Sequence, residues 1–188
     1  MKTRIFALAL LFLLLIVGSS NLSAQNRTYS ENYGGTLNLG LGLGGYYGYY
    51  GYYNQALPVF HINYEFDVAN SFTLAPFLSF SSYREGPYGN GYYYHESIIP
   101  IGVKGTYYFD KLLNANPDWD FYLAGSLGFS IIKSSWDNGY TGNRNYYQDG
   151  SPLFLDLHIG TEYHINHKLG IFLDLSTGVS TVGLAIHK

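Results

Sequence analysis

Asp156-x-His158-x-x-x-Glu162-x-His164 sets four metal-capable side chains on one parity of the segment Pro152 to Leu175. His61 and Glu65 offer the same chemistry on a second segment. Zinc or another transition metal accepts such nitrogen and oxygen ligands. The groups are spread from Asp156 to His164, so one ion could hold only neighbours such as Glu162 and His164. Polar filling of a closed interior, with acids, histidines and Lys104 satisfying one another, is the reading the spacing favours. No metal and no cofactor is expected. A second constellation is Tyr94-His95-Glu96-Ser97, which places His95 and Ser97 on one face. A histidine beside a serine could activate the hydroxyl for acyl transfer if an acid oriented the ring. No acid is visibly placed to do so, and a polar strand start is the simpler reading.

These groups need strands to position them. In Pro152–Leu175, Leu153, Leu155, Leu157 and Ile159 share one parity, while Asp156, His158, Glu162 and His164 share the other. Successive side chains of a strand point to opposite faces, so one face is apolar and the other ionisable. Asn166-His167 reads as the reversal, and Ile171, Leu173 and Leu175 resume the apolar face opposite Asp174. The same logic recurs along the chain. Strands are expected at Thr36–Gly44, Leu57–Val68, Phe72–Tyr83, Tyr93–Phe109, Trp119–Ile132 and Val179–His187, making eight with the hairpin above. Pro76 removes a ladder donor and predicts a bulge in the third. Gly45–Gln55, Arg84–Gly91 and Lys133–Ser151 read as loops, and Ala69-Asn70-Ser71, Asp110–Asp118 and Thr177-Gly178 as turns.

The chain has 188 residues. A basic start, Met1 to Arg4, is followed by an apolar run, Ile5–Val17, and then by small and polar residues up to Ala24. This is the pattern of a cleaved signal peptide, 1–24, leaving a domain at 25–188. As an uncleaved anchor the run falls short of the about 20 residues a spanning helix needs. Cysteine is absent, which excludes disulfides and anchoring through a lipidated cysteine. The net charge is −3 and grows more negative once Lys2 and Arg4 are removed, which argues against a nucleic-acid surface. Charged residues are only 12%, about half the usual share, while 19% are aromatic, tyrosine above all. A lipid-facing surface needs almost no charge, and tyrosine favours the bilayer–water boundary.

Alternation alone does not orient a barrel, since a lipocalin-like soluble barrel is apolar inside and a membrane barrel apolar outside. The polar faces carry few charges and much Gly, Ser, Ala and Asn, which suits a narrow filled interior. Aromatics gather at both strand ends: Tyr64, Phe66, Phe72, Tyr107, Phe109, Trp119, Phe121 and Tyr163 at one, and the tyrosines of 46–53, 92–94 and 146–147 at the other. Ser97–Phe109, SIIPIGVKGTYYF, and Phe121–Phe129, FYLAGSLGF, resemble the central strands of the small outer-membrane β-barrel family, the porin-like and OmpX-like proteins of Gram-negative bacteria. The resemblance implies a final aromatic residue that serves as an assembly signal, where this chain has Lys188.

The expectation is therefore an all-β, eight-stranded, antiparallel up-and-down transmembrane barrel in the cell outer membrane. His61, Glu65, Asp67, Glu96, Lys104, Asp156, His158, Glu162, His164 and Asp174 should fill its lumen, with Lys104 pairing one of the acids. The expected role is structural or interactive at the cell surface. Candidate contacts are Tyr46, Tyr47, Tyr49, Tyr50, Tyr52 and Tyr53 of the Gly/Tyr tract, with Trp136 and Tyr140. The tract could instead rest its rings among lipid headgroups. Expected partners are outer-membrane lipid and lipopolysaccharide, the barrel-assembly machinery during insertion, and an extracellular ligand whose identity the sequence leaves open. A narrow pore and a lipid A-modifying enzyme are the alternatives.

Overall fold

A computed structural model describes residues 33–44, 57–88, 91–142 and 153–188. The Gly/Tyr tract with its six candidate tyrosines, the expected signal peptide and Tyr146-Tyr147 lie outside these residues. Eight strands run in chain order: β1 (Thr36–Gly44), β2 (Leu57–Ala69), β3 (Phe72–Tyr88), β4 (Tyr92–Tyr108), β5 (Trp119–Trp136), β6 (Leu153–Asn166), β7 (Leu169–Ser176) and β8 (Val179–His187). Each pairs antiparallel with the next, and β8 returns to β1 from Thr36↔His187 to Gly44↔Val179, closing the barrel. Closure leaves no sheet edge around the ring, which a hydrocarbon environment requires.

The alternation decides what faces outward. Leu157 and Leu173 are 62% and 36% exposed, whereas Asp156 and Asp174 beside them are 3% and 2% exposed. Leu39, Leu41, Phe60, Leu78, Val103, Leu127, Leu155 and Val182 lie on the same outer surface. A water-facing exterior would have these assignments reversed. Near the end where the β6–β7 turn lies, Trp119 packs on Tyr163 (4.9 Å between ring centres) and stacks near Phe121, an aromatic patch on the outer wall.

One end of the barrel, the turn end, carries the β2–β3, β4–β5 and β6–β7 connections; the other, the loop end, carries the two longest, β1–β2 and β5–β6, with the short β3–β4 and β7–β8 turns. At the turn end, a single helical turn α1 (Asp110–Leu113) follows β4, closed by Asn114 at φ 47°. Strand parity survives several local corrections. Pro76 causes no bulge: its side chain faces outward, it pairs in register with Val103, and the β2–β3 ladder merely skips Pro76 and Ala75 without a change of register. The register shift falls instead at Asp67/Ala69. The reversal after β6 is His167-Lys168, one residue later than the sequence suggests. Arg84–Tyr88, expected as loop, continues β3, and β5 runs on to Trp136. β3, β4 and β5 thus reach 17 or 18 residues against 8 or 9 for β1, β7 and β8. Their extra length forms a three-stranded sheet projecting at the loop end.

Candidate functional site: a filled lumen

The inward parity of the strands brings the ionisable side chains together in layers. At the turn end Tyr33 stacks on Tyr108 at 4.0 Å and donates to both oxygens of buried Asp110 (3.1 and 3.0 Å). One step inward, Glu65 accepts from Asn38 (2.8 Å), Thr73 (2.6 Å) and Tyr108 (2.8 Å). Mid-barrel, Lys104 donates to Asp174, and its ammonium also lies 4.8 Å from the Tyr122 ring centre. Asp174 accepts in addition from Tyr122 (3.0 Å) and meets His158 Nδ1 at 2.7 Å, while His158 Nε2 meets Ser126 at 2.9 Å. Asp156 turns to Ser176 and Thr177 at the β7–β8 turn. His61 meets Ser79 (2.8 Å) and Asn63 (3.0 Å). Beyond this the lumen turns apolar, with Val59, Phe77, Phe154 and Val179 in one cluster.

Close packing between neighbouring strands of so narrow a cylinder needs glycine. A Cβ on Gly160 would lie 2.2 Å from the Tyr122 ring, and one on Gly183 would lie 2.1 Å from the Leu39 carbonyl. Two small cavities remain on either side of Lys104, about 10 and 20 Å³ in volume, each room for about one water. The arrangement can hold charge in a dry interior, with Lys104 lining both cavities.

Of the expected lumen residues, His61, Glu65, Glu96, Lys104, Asp156, His158, Glu162, His164 and Asp174 lie on the inward parity. Asp67 does not fill the lumen. It follows the inward parity only as far as the register shift, and there its carboxylate is exposed at the rim and accepts from Gly34 N–H (2.9 Å). Asp110, Asp120, His187, Tyr33, Tyr108 and Tyr122 also belong to the polar interior but were not singled out in the sequence. Asp120 and Tyr122 share the parity of Ala124 and Ser126, a signal that was available. His187 could be found only by knowing that β8 closes onto β1.

His95 and Ser97 are not brought together. His95 Nε2 meets Asp137 at 2.9 Å, and Ser97 donates to Ser82 at 3.3 Å. Asp137 lies just past β5; the His95 hydrogen bond, then the Tyr93 N–H at 2.9 Å, hold its carboxyl below the usual aspartate range. An acid therefore orients the ring, but the serine bonds elsewhere. On the lumen side of the same extension, Trp136 stacks on Tyr140 (4.1 Å) and packs against Tyr94 (5.1 Å) and Tyr88 (5.4 Å).

No protein-family model matches the sequence, and no curated protein matches it. Solved structures do. Neisserial surface protein A is 14% identical with a TM-score of 0.50, the match covering 81% of this chain and 95% of that one. Ail, the attachment invasion locus protein of Yersinia pestis, solved with the heparin analogue sucrose octasulfate, is 10% identical with a TM-score of 0.47, covering 80% and 94%. A de novo designed transmembrane β-barrel is 14% identical with a TM-score of 0.43, covering 83% and 98%. The likeness shows the fold: a closed eight-stranded antiparallel β-barrel. With its apolar exterior and ionisable interior, this chain has the build of an outer-membrane-type barrel.

Proposed function

We propose that this chain is an integral outer-membrane protein with a closed lumen, whose role is structural or interactive at the cell surface. The observation that carries the reading is the Lys104–Asp174 pair, which bars the lumen at mid-height between its two small cavities. Eight strands enclose a space only wide enough for side chains, and here those side chains satisfy one another. Residues 1–24 serve as the export signal, the assembly machinery inserts the barrel, and lipid with lipopolysaccharide surrounds it. Contact with a partner falls to the projecting β3–β5 sheet, where Trp136 and Tyr140 offer rigid, amphipathic rings at low entropic cost. Catalysis has little support, because Ser97 donates to Ser82 and not to His95.

Purified barrel in planar bilayers should give no steady conductance above that of the lipid; discrete openings would favour the pore. Lipid A from cells making the protein should keep its mass; a shift by one acyl chain would favour the enzyme. Cells displaying the protein should adhere to matrix- or glycan-coated wells better than cells displaying the Trp136→Ala, Tyr140→Ala variant. Equal adhesion would remove the surface role from this sheet.

A further inference from the structure

At the turn-end mouth of the lumen three donor atoms converge from two strands that are not neighbours. Glu162 and His164 stand two residues apart on β6, and His187 stands at the end of β8. Glu162 Oε1 lies 2.7 Å from His187 Nε2 and 3.8 Å from His164 Nδ1, and the three donors all fall within 4.8 Å of one another. β7 lies between these strands and leaves the gap through Gly170: a Cβ there would sit 2.0 Å from Glu162 Oε1. The reach of Glu162 to His187 therefore depends on a missing side chain.

The outer nitrogens of both rings are already committed. Asp120 Oδ2 takes the Nε2 of His164 at 2.9 Å, which turns Nδ1 toward Glu162. Thr36 donates its hydroxyl hydrogen to the Tyr33 carbonyl (2.9 Å), so its oxygen accepts from His187 Nδ1–H at 3.0 Å. The Nε2 of His187 therefore faces the Glu162 carboxylate oxygen at 2.7 Å, an ion pair when the ring is protonated and a ligating position when it is not. A carboxylate or hydroxyl that fixes the far nitrogen of an imidazole is also the usual outer support of a metal-ligating histidine.

We propose that Glu162, His164 and His187 bind one divalent transition-metal cation of the zinc class, with Asp120 and Thr36 as positioning residues. Two imidazoles and a carboxylate select such a cation over calcium or magnesium, which prefer oxygen alone. Donors of a four-coordinate zinc at about 2.1 Å stand about 3.4 Å from one another. From the present distances the 2.7 Å pair would open by about 0.7 Å and the 3.8 Å pair close by about 0.4 Å, changes within reach of side-chain rotation. His164 is the most exposed of the three at 25%, so a fourth position faces water. The sequence concealed the site because Asp156 and His158, its apparent members, are bound elsewhere in the lumen, and because His187 arrives only on closure.

The test uses the folded, tag-free barrel in detergent micelles. Calorimetric titration with ZnCl₂ should show one equivalent bound, and Co²⁺ should give the visible absorption of a four- or five-coordinate nitrogen–oxygen site. His164→Ala and His187→Ala should each weaken binding by about ten-fold or more, and Asp120→Asn by about ten-fold. Gly170→Ala should do likewise, since the methyl group only pushes aside the free end of Glu162 and leaves the ladder intact. His167→Ala, on the exposed turn outside the cluster, should change nothing. A barrel that takes up no Zn²⁺ and gives no Co²⁺ band would show that only a proton bridges Glu162 and His187, and would overturn the proposal. So would binding that survives the Gly170 and His187 changes but is lost with His167. If an alanine variant fails to fold, the wild-type Co²⁺ spectrum and Gly170→Ala still decide.

Discussion

The two halves of the lumen are filled by different means. Toward the turns, Glu65 and Asp174 are each held by donors from other strands, Tyr108 for the first and Lys104 and Tyr122 for the second, and Glu162 meets His187. Toward the loops, Val59, Phe77, Phe154 and Val179 fill space, and above them Tyr94, Trp136 and Tyr140 stack. In a dry interior an unpaired polar group is costly, so the polar half demands particular residues at particular heights. The apolar half demands volume, which several side chains could supply. Apart from the buried Glu96, which accepts from the Tyr94 hydroxyl, the loop half is thus the freer to vary, and the turn half, with most of the buried charge, is the more demanding.

The largest expected effect breaks the polar half at its centre. Lys104→Met keeps the length of the side chain but leaves Asp174 without its cation, with Tyr122 and His158 as its remaining partners. Removing one member of a buried pair costs about 3–5 kcal/mol. Urea unfolding of the barrel in lipid vesicles, followed by the mobility change on heating, measures it. A loss below about 1 kcal/mol would mean that the two halves are equally permissive.

Both halves share one exterior, and Leu155 tests it. It pairs outward with Leu127 and is 71% exposed. Leu155→Arg should cost about 2–4 kcal/mol at mid-bilayer, and the inward Ser126→Thr far less. Equal costs would reverse the assignment of inside and outside. A smaller effect sharpens the contrast: Phe77→Leu, within the apolar cluster, should cost about 1 kcal/mol because neighbouring rings can close on the smaller side chain. A loss as large as that of Lys104→Met would make the apolar half as position-specific as the polar one.

The strand count and the face of nearly every residue could be read from the sequence, because period-two alternation is a local property of the backbone. What could not be read was set by pairing across strands. Lys104 could have met any of several acids, and only the relative heights of β4 and β7 choose Asp174. Asp67 keeps the inward parity in sequence yet reaches the rim, because the register shift beside it ends the alternation. The β3–β5 extension was hidden in Gly86-Pro87 and in tyrosines that read as loop. Glu162 and His164 were visible as a pair, but His187 lies on a strand two places away and joins them only in the closed ring.

The smallest expected effect lies outside the membrane, where β4 meets the segment after β5. Asp137 accepts from His95 and from the Tyr93 N–H, and its own N–H donates to the Tyr93 carbonyl at 3.0 Å. The side chains of the pair are 44% and 38% exposed, so solvent screens the attraction. The Asp137 carboxyl nevertheless sits below the ordinary aspartate range. A depressed carboxyl stabilises the folded form above its ordinary pKa and loses that contribution as pH falls through its folded value. Trp136 precedes Asp137 in the chain, and with Trp119→Phe it becomes the single tryptophan. Its fluorescence in that background should stay flat down to the ordinary aspartate value, about 3.9, and change only below it. Asp137→Asn should abolish the change and leave global unfolding almost unmoved. A transition above that value, or one that survives Asp137→Asn, would mean that the aromatic extension is held by its ring stacking alone, with no polar anchor of the kind that governs the turn half.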